Sequence, residues 1–303
     1  GVRPIVVEKI LELLDNEMIP IVYEYGSLGA SGDLAPLAHI ALSLVGEGNI
    51  LTKTGQIIPI ESVPYSPIIL EEKEGLALIN GTHVSTSALA LGIIKARNLL
   101  TDSIVIAAMS IEALRGTNLA FDEAISQVRP HQGQIQIAEA LWKLLEGSKI
   151  LASHKDPEND DRVQDPYSIR CTPQILGAVL DTINYVTKVT EIEIQSVTDN
   201  PLVFPEYDKI ISGGNFHAEP IALAGEFLCL AITEIATLSE KRTEKILNYA
   251  YSSGLPPFLA KEPGLNSGYM IAHYTQASLV NKITSLATPN VPIKVSVSCL
   301  LYT

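Results

Sequence analysis

The sequence contains few cysteines and few basic residues, and both shortages narrow the classes of possible function. Its 303 residues include 3 cysteines, Cys171, Cys229 and Cys299. These are too few and too scattered for a disulfide framework or a structural zinc site, and they favour a reducing cytoplasm. Lysine and arginine total 21 against 34 acidic residues, a net charge of −13. Such a chain repels nucleic-acid phosphates and anionic membrane surfaces, so we expect neither as a partner.

Long uninterrupted hydrophobic runs are also missing. The most apolar stretch, residues 221–238, is interrupted by Glu226 and Glu234. Acidic residues at such positions favour a buried bundle helix over a membrane span. No secretory signal is recognisable and the first residue is Gly1 rather than methionine, so we expect a piece of a longer protein. A composition that is 47% hydrophobic is sufficient for a sizeable core.

The dominant pattern along the chain is helical. Apolar spacing and capping residues predict helices over residues 6–14, 34–45, 74–114, 135–145, 172–197, 220–248 and 267–287. Strand signals are confined to a hairpin over residues 50–60 and an irregular strand pair over residues 203–216. The polar stretch 153–164 predicts a surface loop. The fold class is therefore mainly α, a large helical bundle with a few short strands, and we expect one domain over residues 1–303.

One glycine-rich segment leads directly into a predicted helix. Residues 26–39 read Gly-Ser-Leu-Gly-Ala-Ser-Gly-Asp-Leu-Ala-Pro-Leu-Ala-His, with the tripeptide Ala30-Ser31-Gly32 at the centre. Asp33 is a suitable N-cap and Pro36 is tolerated in a first helical turn. Ala-Ser-Gly alone is most simply a turn that caps a helix. The whole run is far more specific, and it places a tight loop at a helix N-terminus, where negative charge is favoured.

A second candidate element is Asn80, in the sequence Asn-Gly-Thr-His before a long apolar helix. Asparagine there is equally well explained as a turn or cap residue. A third is the segment 163–171, where Pro166 predicts a compact turn. Gln164, Tyr167 and Arg170 are spaced by three, so a single turn would direct Tyr167 and Arg170 the same way. Arg170 could hold a carboxylate through two parallel hydrogen bonds, or simply pair with an acidic neighbour.

The last candidate segment is residues 213–220, Gly-Gly-Asn-Phe-His-Ala-Glu-Pro. Its glycines permit close backbone approach and its proline begins a helix. Phe216 is explained equally well by ordinary core packing and by a role in a site, and the two interpretations are compatible. His217 and Glu219 are too few for a metal site, and we expect no metal.

These motifs, with those over residues 196–202 and 253–259, resemble the ammonia-lyases that carry a methylideneimidazolone (MIO) group, over about residues 1–290. The resemblance implies that Ala30, Ser31 and Gly32 form this group unaided. The Gly32 amide nitrogen would attack the Ala30 carbonyl carbon, and water would be lost first from the ring and then from the Ser31 side chain. The product is an electrophilic prosthetic group made from the chain itself. No diffusible cofactor is implied.

The resemblance also implies the substrate-binding residues. Asn80 would bind the substrate amino group and Arg170 its α-carboxylate. Gln164 and Tyr167 would lie against the MIO group and the substrate, and Phe216 would pack beside the MIO ring.

Two segments resemble the histidine branch of the family. Asp-Pro-Tyr-Ser and Asn-Phe-His-Ala-Glu-Pro are typical of it, although His83 stands where glutamine is usual. The implied activity is a carbon–nitrogen lyase that converts L-histidine to trans-urocanate. The implied assembly is a cytoplasmic homotetramer with active sites shared between subunits. The alternatives are a phenylalanine or tyrosine ammonia-lyase or aminomutase with the same group, or a non-catalytic fragment of such an enzyme.

Two parts of the family pattern have no counterpart in this chain. One is the N-terminal region whose loop tyrosine acts as catalytic base, and the other is a C-terminal Gln-Glu-Asp-His motif. We therefore expect truncation at both ends. Residues 291–303 resemble nothing in the family.

Overall fold

A computed structural model describes residues 1–155, 158 and 162–289. Residues 291–303, which the sequence analysis sets apart, and part of the predicted loop 153–164 lie outside the described residues. The described chain forms two compact units. Unit 1 comprises residues 1–91 and 188–224, and unit 2 comprises residues 92–187 and 225–289.

The described residues are predominantly helical, which confirms the predicted fold class. The α-helices are α1 (Pro4–Asp15), α2 (Leu34–Leu44), α3 (Glu74–Ile79), α4 (His83–Ala113), α5 (Glu123–Gln127), α6 (Gln132–Leu145), α7 (Lys149–Ser153), α8 (Tyr167–Arg170), α9 (Thr172–Ile194), α10 (Glu219–Leu247) and α11 (Met270–Leu286). The strands are β1 (Ile19–Pro20), β2 (Asn49–Leu51), β3 (Ile57–Pro59), β4 (Leu202–Phe204) and β5 (Lys209–Ile211).

Unit 1 contains a small core beneath its N-terminal helix. Apolar residues recur at helical spacing along α1, so one face is buried while its charged face meets water. The fully buried members of this core are Val6, Leu13, Leu44, Ile50 and Ile60. The core therefore joins α1 and α2 to the hairpin.

The predicted hairpin over residues 50–60 is confirmed as β2 and β3. These strands are antiparallel, with Ile50 opposite Ile58. β1 adds a third strand to β2. Its two residues are too few to show the alternation by which a strand is recognised in sequence. The second predicted pair is confirmed as β4 and β5, with Val203 opposite Ile210.

Unit 2 is built from helices and has a core of large apolar side chains. The largest fully buried ones in this unit are Phe121, Ile111, Leu114, Ile137, Leu141, Ile169, Leu176 and Ile183. Helices α6 and α9 approach at two glycines, Gly133 and Gly177. A Cβ built on Gly133 would overlap the Gly177 carbonyl and lie 2.9 Å from Asp181 Cγ. Backbone-to-backbone contact of this kind requires glycine on both helices.

Two stretches, Glu74–Ala113 and Glu219–Leu247, are long and apolar enough to cross a bilayer by length and composition alone. The core helix of a bundle passes the same test. Within these stretches 33% and 39% of the residues in the apolar window are buried. On α4, apolar side chains such as Ile94 and Met109 remain exposed in the single chain, at 57% and 64%. Exposed apolar side chains that form one patch are typical of interaction surfaces.

Candidate active site

The glycine-rich segment folds as a tight turn before α2. Residues Gly29–Ser31 form one 3-10 turn, in which the Ser31 amide donates to Leu28 O at 2.8 Å and the Gly32 amide to Gly29 O at 3.3 Å. Gly32 has φ 81° and ψ 176°. This region of backbone conformation is essentially restricted to glycine. The turn therefore depends on glycine at position 32, beside the serine of the Ala-Ser-Gly tripeptide.

Two distant segments of unit 1 pack against this turn. A Cβ on Gly32 would lie 2.9 Å from Gly81 O and 3.4 Å from Phe216 O. The Asp33 amide donates to Gly81 O at 2.7 Å, and the Ala218 amide donates to Gly29 O at 2.9 Å. The structure thus brings the tripeptide together with the Asn80-Gly81 and Phe216 segments, which are separated from it by about fifty and nearly two hundred residues of chain.

Asp33 behaves differently from the sequence prediction. It occupies the N-cap position of α2, but its side chain makes no capping hydrogen bond. Its fully buried carboxylate instead accepts hydrogen bonds from Ser27 Oγ at 2.6 Å, from Ser85 Oγ at 2.6 Å and from the Ser85 amide at 2.8 Å. A buried charge needs several donors, and these three outcompete the local cap. Asp33 therefore ties the loop to the start of α4.

Asn80 is buried at the end of α3. Its amide nitrogen Nδ2 donates to the Asn200 carbonyl at 3.0 Å and to Asp199 Oδ1 at 3.3 Å. These bonds orient the side-chain amide, and its oxygen Oδ1 accepts no hydrogen bond from the described residues. The oxygen is consequently available as an acceptor.

Asp199, which orients Asn80, is itself held by a cation. Lys73 forms an ion pair with the Asp199 carboxylate. Burial acts to raise the pKa of Asp199, but the hydrogen bond from Lys73 and one from the Asn200 amide outweigh it and lower that pKa. Asp199 lies in a motif recognised in the sequence. Lys73 carried no sequence signal, because its partner is 126 residues away.

Tyr167 and Arg170 lie in unit 2, on the four-residue helix α8 that follows Pro166. The Arg170 guanidinium lies over the Tyr167 ring, 4.5 Å from its centre. The prediction that these side chains face the same way is confirmed. Arg170 Nε donates to the Asp165 carbonyl at 2.9 Å, and no carboxylate in the described chain forms an ion pair with Arg170. Its two terminal nitrogens are therefore left for another acceptor.

Gln164, His217 and Glu219 are the remaining polar candidates from the sequence. Gln164 is exposed ahead of α8, and no hydrogen bond joins it to Tyr167 or Arg170. His217 Nδ1 accepts from the Glu219 amide at 3.2 Å. Across the residues that the structure describes, no group of three His, Cys, Asp or Glu side chains is placed to hold a metal ion.

The helical architecture is that of aromatic amino-acid ammonia-lyases, as its similarity to solved structures of such enzymes demonstrates. More specifically, the chain belongs to the aromatic amino acid lyase family, whose model matches residues 1–300. The match extends past residue 290, so the expectation that residues 291–303 resemble nothing in the family is wrong for most of that stretch. This family is MIO-dependent.

Three relatives define the similarity further. The chain is 46% identical over 292 residues to a histidine ammonia-lyase of Caldanaerobacter subterraneus, covering 95% of this chain and 56% of that protein. Histidine ammonia-lyase from Trypanosoma cruzi has a similar structure, with TM-score 0.88 and 39% identity over 99% of this chain and 56% of that one. Tyrosine aminomutase from Streptomyces globisporus also has TM-score 0.88, with 35% identity over 94% and 57% of the two chains. The chain spans about half the length of the curated relatives that it matches.

Proposed function

We propose that this chain carries the MIO-forming part of a histidine ammonia-lyase, which eliminates ammonia from L-histidine to give trans-urocanate. The observation that supports this most directly is the glycine-only conformation of Gly32, in a turn packed against Gly81 and Phe216. Identity near 46% to histidine ammonia-lyases supports histidine as the substrate.

The residues of the turn fit the prosthetic group. Gly32 has no Cβ to shield its amide nitrogen, and the space a Cβ would take is occupied by Gly81 O at 2.9 Å. The 3-10 turn bends the chain at Ala30 and Ser31, and ring closure onto the Ala30 carbonyl needs a bend at this place. When formed, the group supplies an electrophilic carbon that assists departure of a poor leaving group. We propose that Ala30, Ser31 and Gly32 are its precursors.

We propose that Arg170 binds the substrate α-carboxylate. Its Nε is already directed at Asp165 O, so the two terminal nitrogens remain for the paired hydrogen bonds that a carboxylate accepts. Tyr167, which is 70% exposed, supports the guanidinium from one side and presents its hydroxyl to a ligand. Fixing the carboxylate restricts the rest of the substrate, so that the β-carbon proton is presented to a base in one geometry. Gln164 is proposed to contact the same substrate.

Asn80 is proposed to receive the substrate amino group. With Nδ2 committed to Asn200 O and Asp199, the amide presents its oxygen, which accepts hydrogen bonds from an amine. Phe216 is proposed to pack beside the reacting groups, since its backbone already lies against Gly32.

We further propose a cytoplasmic homotetramer whose active sites combine residues of different subunits. The exposed apolar side chains on α4 support an assembly, because a stable monomer rarely leaves a patch of this kind uncovered.

The first test is the intact mass of the purified chain, followed by peptide mapping across residues 26–39. We expect a deficit of two water molecules located at Ala30-Ser31-Gly32. The matched control is Ser31→Ala, which has no hydroxyl to lose and cannot show the full deficit. An unmodified wild-type mass would contradict the proposal that these residues form the group.

Substrate choice is tested separately, by turnover of histidine, phenylalanine and tyrosine by this chain extended to the full length of its relatives. We expect formation of urocanate, with its ultraviolet absorbance, from histidine alone. Preference for phenylalanine or tyrosine would identify the alternative lyase or aminomutase activity. Absence of all three activities from a chain that shows the two-water deficit would favour the non-catalytic alternative.

A further inference from the structure

Arg242 of α10 is a buried cation outside the proposed site. Arg242 is only 3% exposed. Nε donates to the Ser168 carbonyl at 2.8 Å, and Nη2 donates to Thr172 Oγ1 at 2.7 Å. Ser168 lies inside α8, between Tyr167 and Arg170, and Thr172 is the first residue of α9. One guanidinium therefore connects α10 to both ends of the segment that carries the proposed carboxylate-binding residues.

No acidic side chain of the described residues pairs with Arg242. Asp102 lines the same apolar cavity, of about 310 Å³, but lies beyond ion-pair distance. Burial lowers the pKa of Arg242 to about 10, so the group is still protonated at neutral pH. Burying a charge without a counter-ion is costly, and an apolar side chain of similar size would stabilise a plain helix contact better. Packing alone therefore does not explain why position 242 is an arginine.

The acceptors of Arg242 suggest that reason. A four-residue helix cannot satisfy all of its own carbonyl groups. The bond from Arg242 to the Ser168 carbonyl, at 2.8 Å, is much shorter than the one that the same carbonyl accepts from Thr172 Oγ1, at 3.5 Å. Thr172 Oγ1 in turn donates to the Ile169 carbonyl at 2.7 Å, so Arg242 binds a hydroxyl that also holds α8. Arg170 Nε secures the other side of the turn through Asp165 O. The short helix is fixed by these charge-assisted bonds rather than by its own length.

We infer that Arg242 is a positioning residue, which holds α8 so that Arg170 presents its terminal nitrogens to the substrate carboxylate. This inference rests on the proposed function only for the identity of the group that Arg170 binds. The hydrogen bonds by which Arg242 holds α8 do not depend on the proposed function.

Hydrogen exchange of the peptide covering residues 165–172 tests the hold directly. Arg242→Met loses both hydrogen bonds, so we expect the α8 amides to exchange more than about tenfold faster, since tenfold is the equilibrium effect of losing one charge-assisted hydrogen bond. Arg242→Lys reaches one acceptor at a time and should show a smaller increase, which keeps the test decisive if the methionine variant fails to fold. The control is Lys241→Met, on the same helix but exposed, with no expected change in α8. Faster exchange confined to α10 peptides would overturn the inference.

Ligand affinity tests the positioning. L-histidine and histamine differ by the carboxylate, so calorimetric titration with both reports on Arg170. We expect Arg242→Lys to weaken histidine binding by about tenfold and to leave histamine binding unchanged. Equal weakening of both ligands, or of neither, would overturn the positioning role. If the wild-type chain binds neither ligand, the proposed function fails, and the exchange experiment still decides whether Arg242 holds α8.

Discussion

At the scale of single residues, buried charges in this chain serve to connect distant segments. Asp33 binds Ser27 and Ser85, and Arg242 binds Ser168 and Thr172. Each connects polar groups from separate segments of the chain. Because an unpaired buried charge is expensive, the loss of either partner disturbs both elements together. These residues therefore influence the candidate site without belonging to it.

Glu74 illustrates a residue effect that depends on pH. Arg3 donates to its carboxylate at 2.8 and 2.9 Å, from both the side chain and the backbone amide. The hydrogen bond from the Arg3 side chain is the main cause that lowers the pKa of Glu74 from 4.5 to about 2. A lowered acid pKa stabilises the folded chain above the ordinary value, and that contribution is lost as pH falls from 4.5 towards about 2.

We therefore expect Glu74→Gln to be less stable than the wild type at pH 7 and equally stable near pH 2. The measurement is urea unfolding followed by circular dichroism at a series of pH values. Glu61→Gln, at an exposed position of the same unit, is the control and should follow the wild type throughout. A stability gap for Glu74→Gln that persists unchanged at pH 2 would refute the linkage.

At the scale of elements, the contact between α6 and α9 depends on two glycines. Asp181 of α9 accepts from the Gly133 amide at 2.9 Å, so the first turn of α6 is held by a side chain of its neighbour. The absence of both Cβ atoms brings the backbones close enough for this bond. The short distance between α6 and α9 at their contact therefore depends on the absence of a side chain at Gly133 and at Gly177.

We predict that Gly133→Ala destabilises the chain by about 1–3 kcal/mol, the usual cost of overpacking a tight contact. Gly92→Ala is the matched control, since Gly92 lies in α4 with only a Leu228 methyl at 3.7 Å from its built Cβ. Alanine is the better helix former, so the control should be neutral or more stable by up to about 1 kcal/mol. Denaturant midpoints compare the two, and equal effects would contradict the close-contact explanation.

At the scale of the whole molecule, the exposed apolar face of α4 is the feature that the single chain leaves unexplained. The sequence indicated that this helix is apolar on most sides, as central bundle helices are. In the single chain one side is covered, at residues such as Ile93 and Leu100, while Ile94 is 57% exposed. Self-association would cover this face.

We expect the purified chain to sediment as an oligomer, and as a homotetramer if the family assembly forms. Ile94→Glu should shift the population towards monomer while circular dichroism keeps its helical signal, because a charge cannot be buried there without a partner. Val128→Glu, at a position that is 85% exposed outside the helices, is the control and should not change the assembly. A wild-type chain that sediments as a monomer at all concentrations would exclude this assembly.

Local features of this protein could be predicted from sequence alone. The long helices, both strand pairs and the shared direction of Tyr167 and Arg170 depend on residue spacing, proline and glycine within a few positions. The short helices α5 and α7 were not predicted, and the predicted helix over residues 74–114 divides into α3 and α4. The motif at Ala30-Ser31-Gly32 is likewise a local pattern. Such features are determined by interactions that extend over one or two turns, and the sequence contains all the necessary information within that distance.

Only the tertiary structure determined which distant residues contact or hydrogen-bond to one another. The buried Asp33 carboxylate reaches Ser85 rather than capping α2, and Asn80 is oriented by Asp199 with the help of Lys73. Arg242 reaches Ser168, and Gly133 meets Gly177. The packing of the helices determines which buried polar groups and which backbones come into contact. A buried polar group needs a hydrogen-bond partner, and here that partner comes from another segment of the chain. Residue spacing along a single chain does not specify that choice.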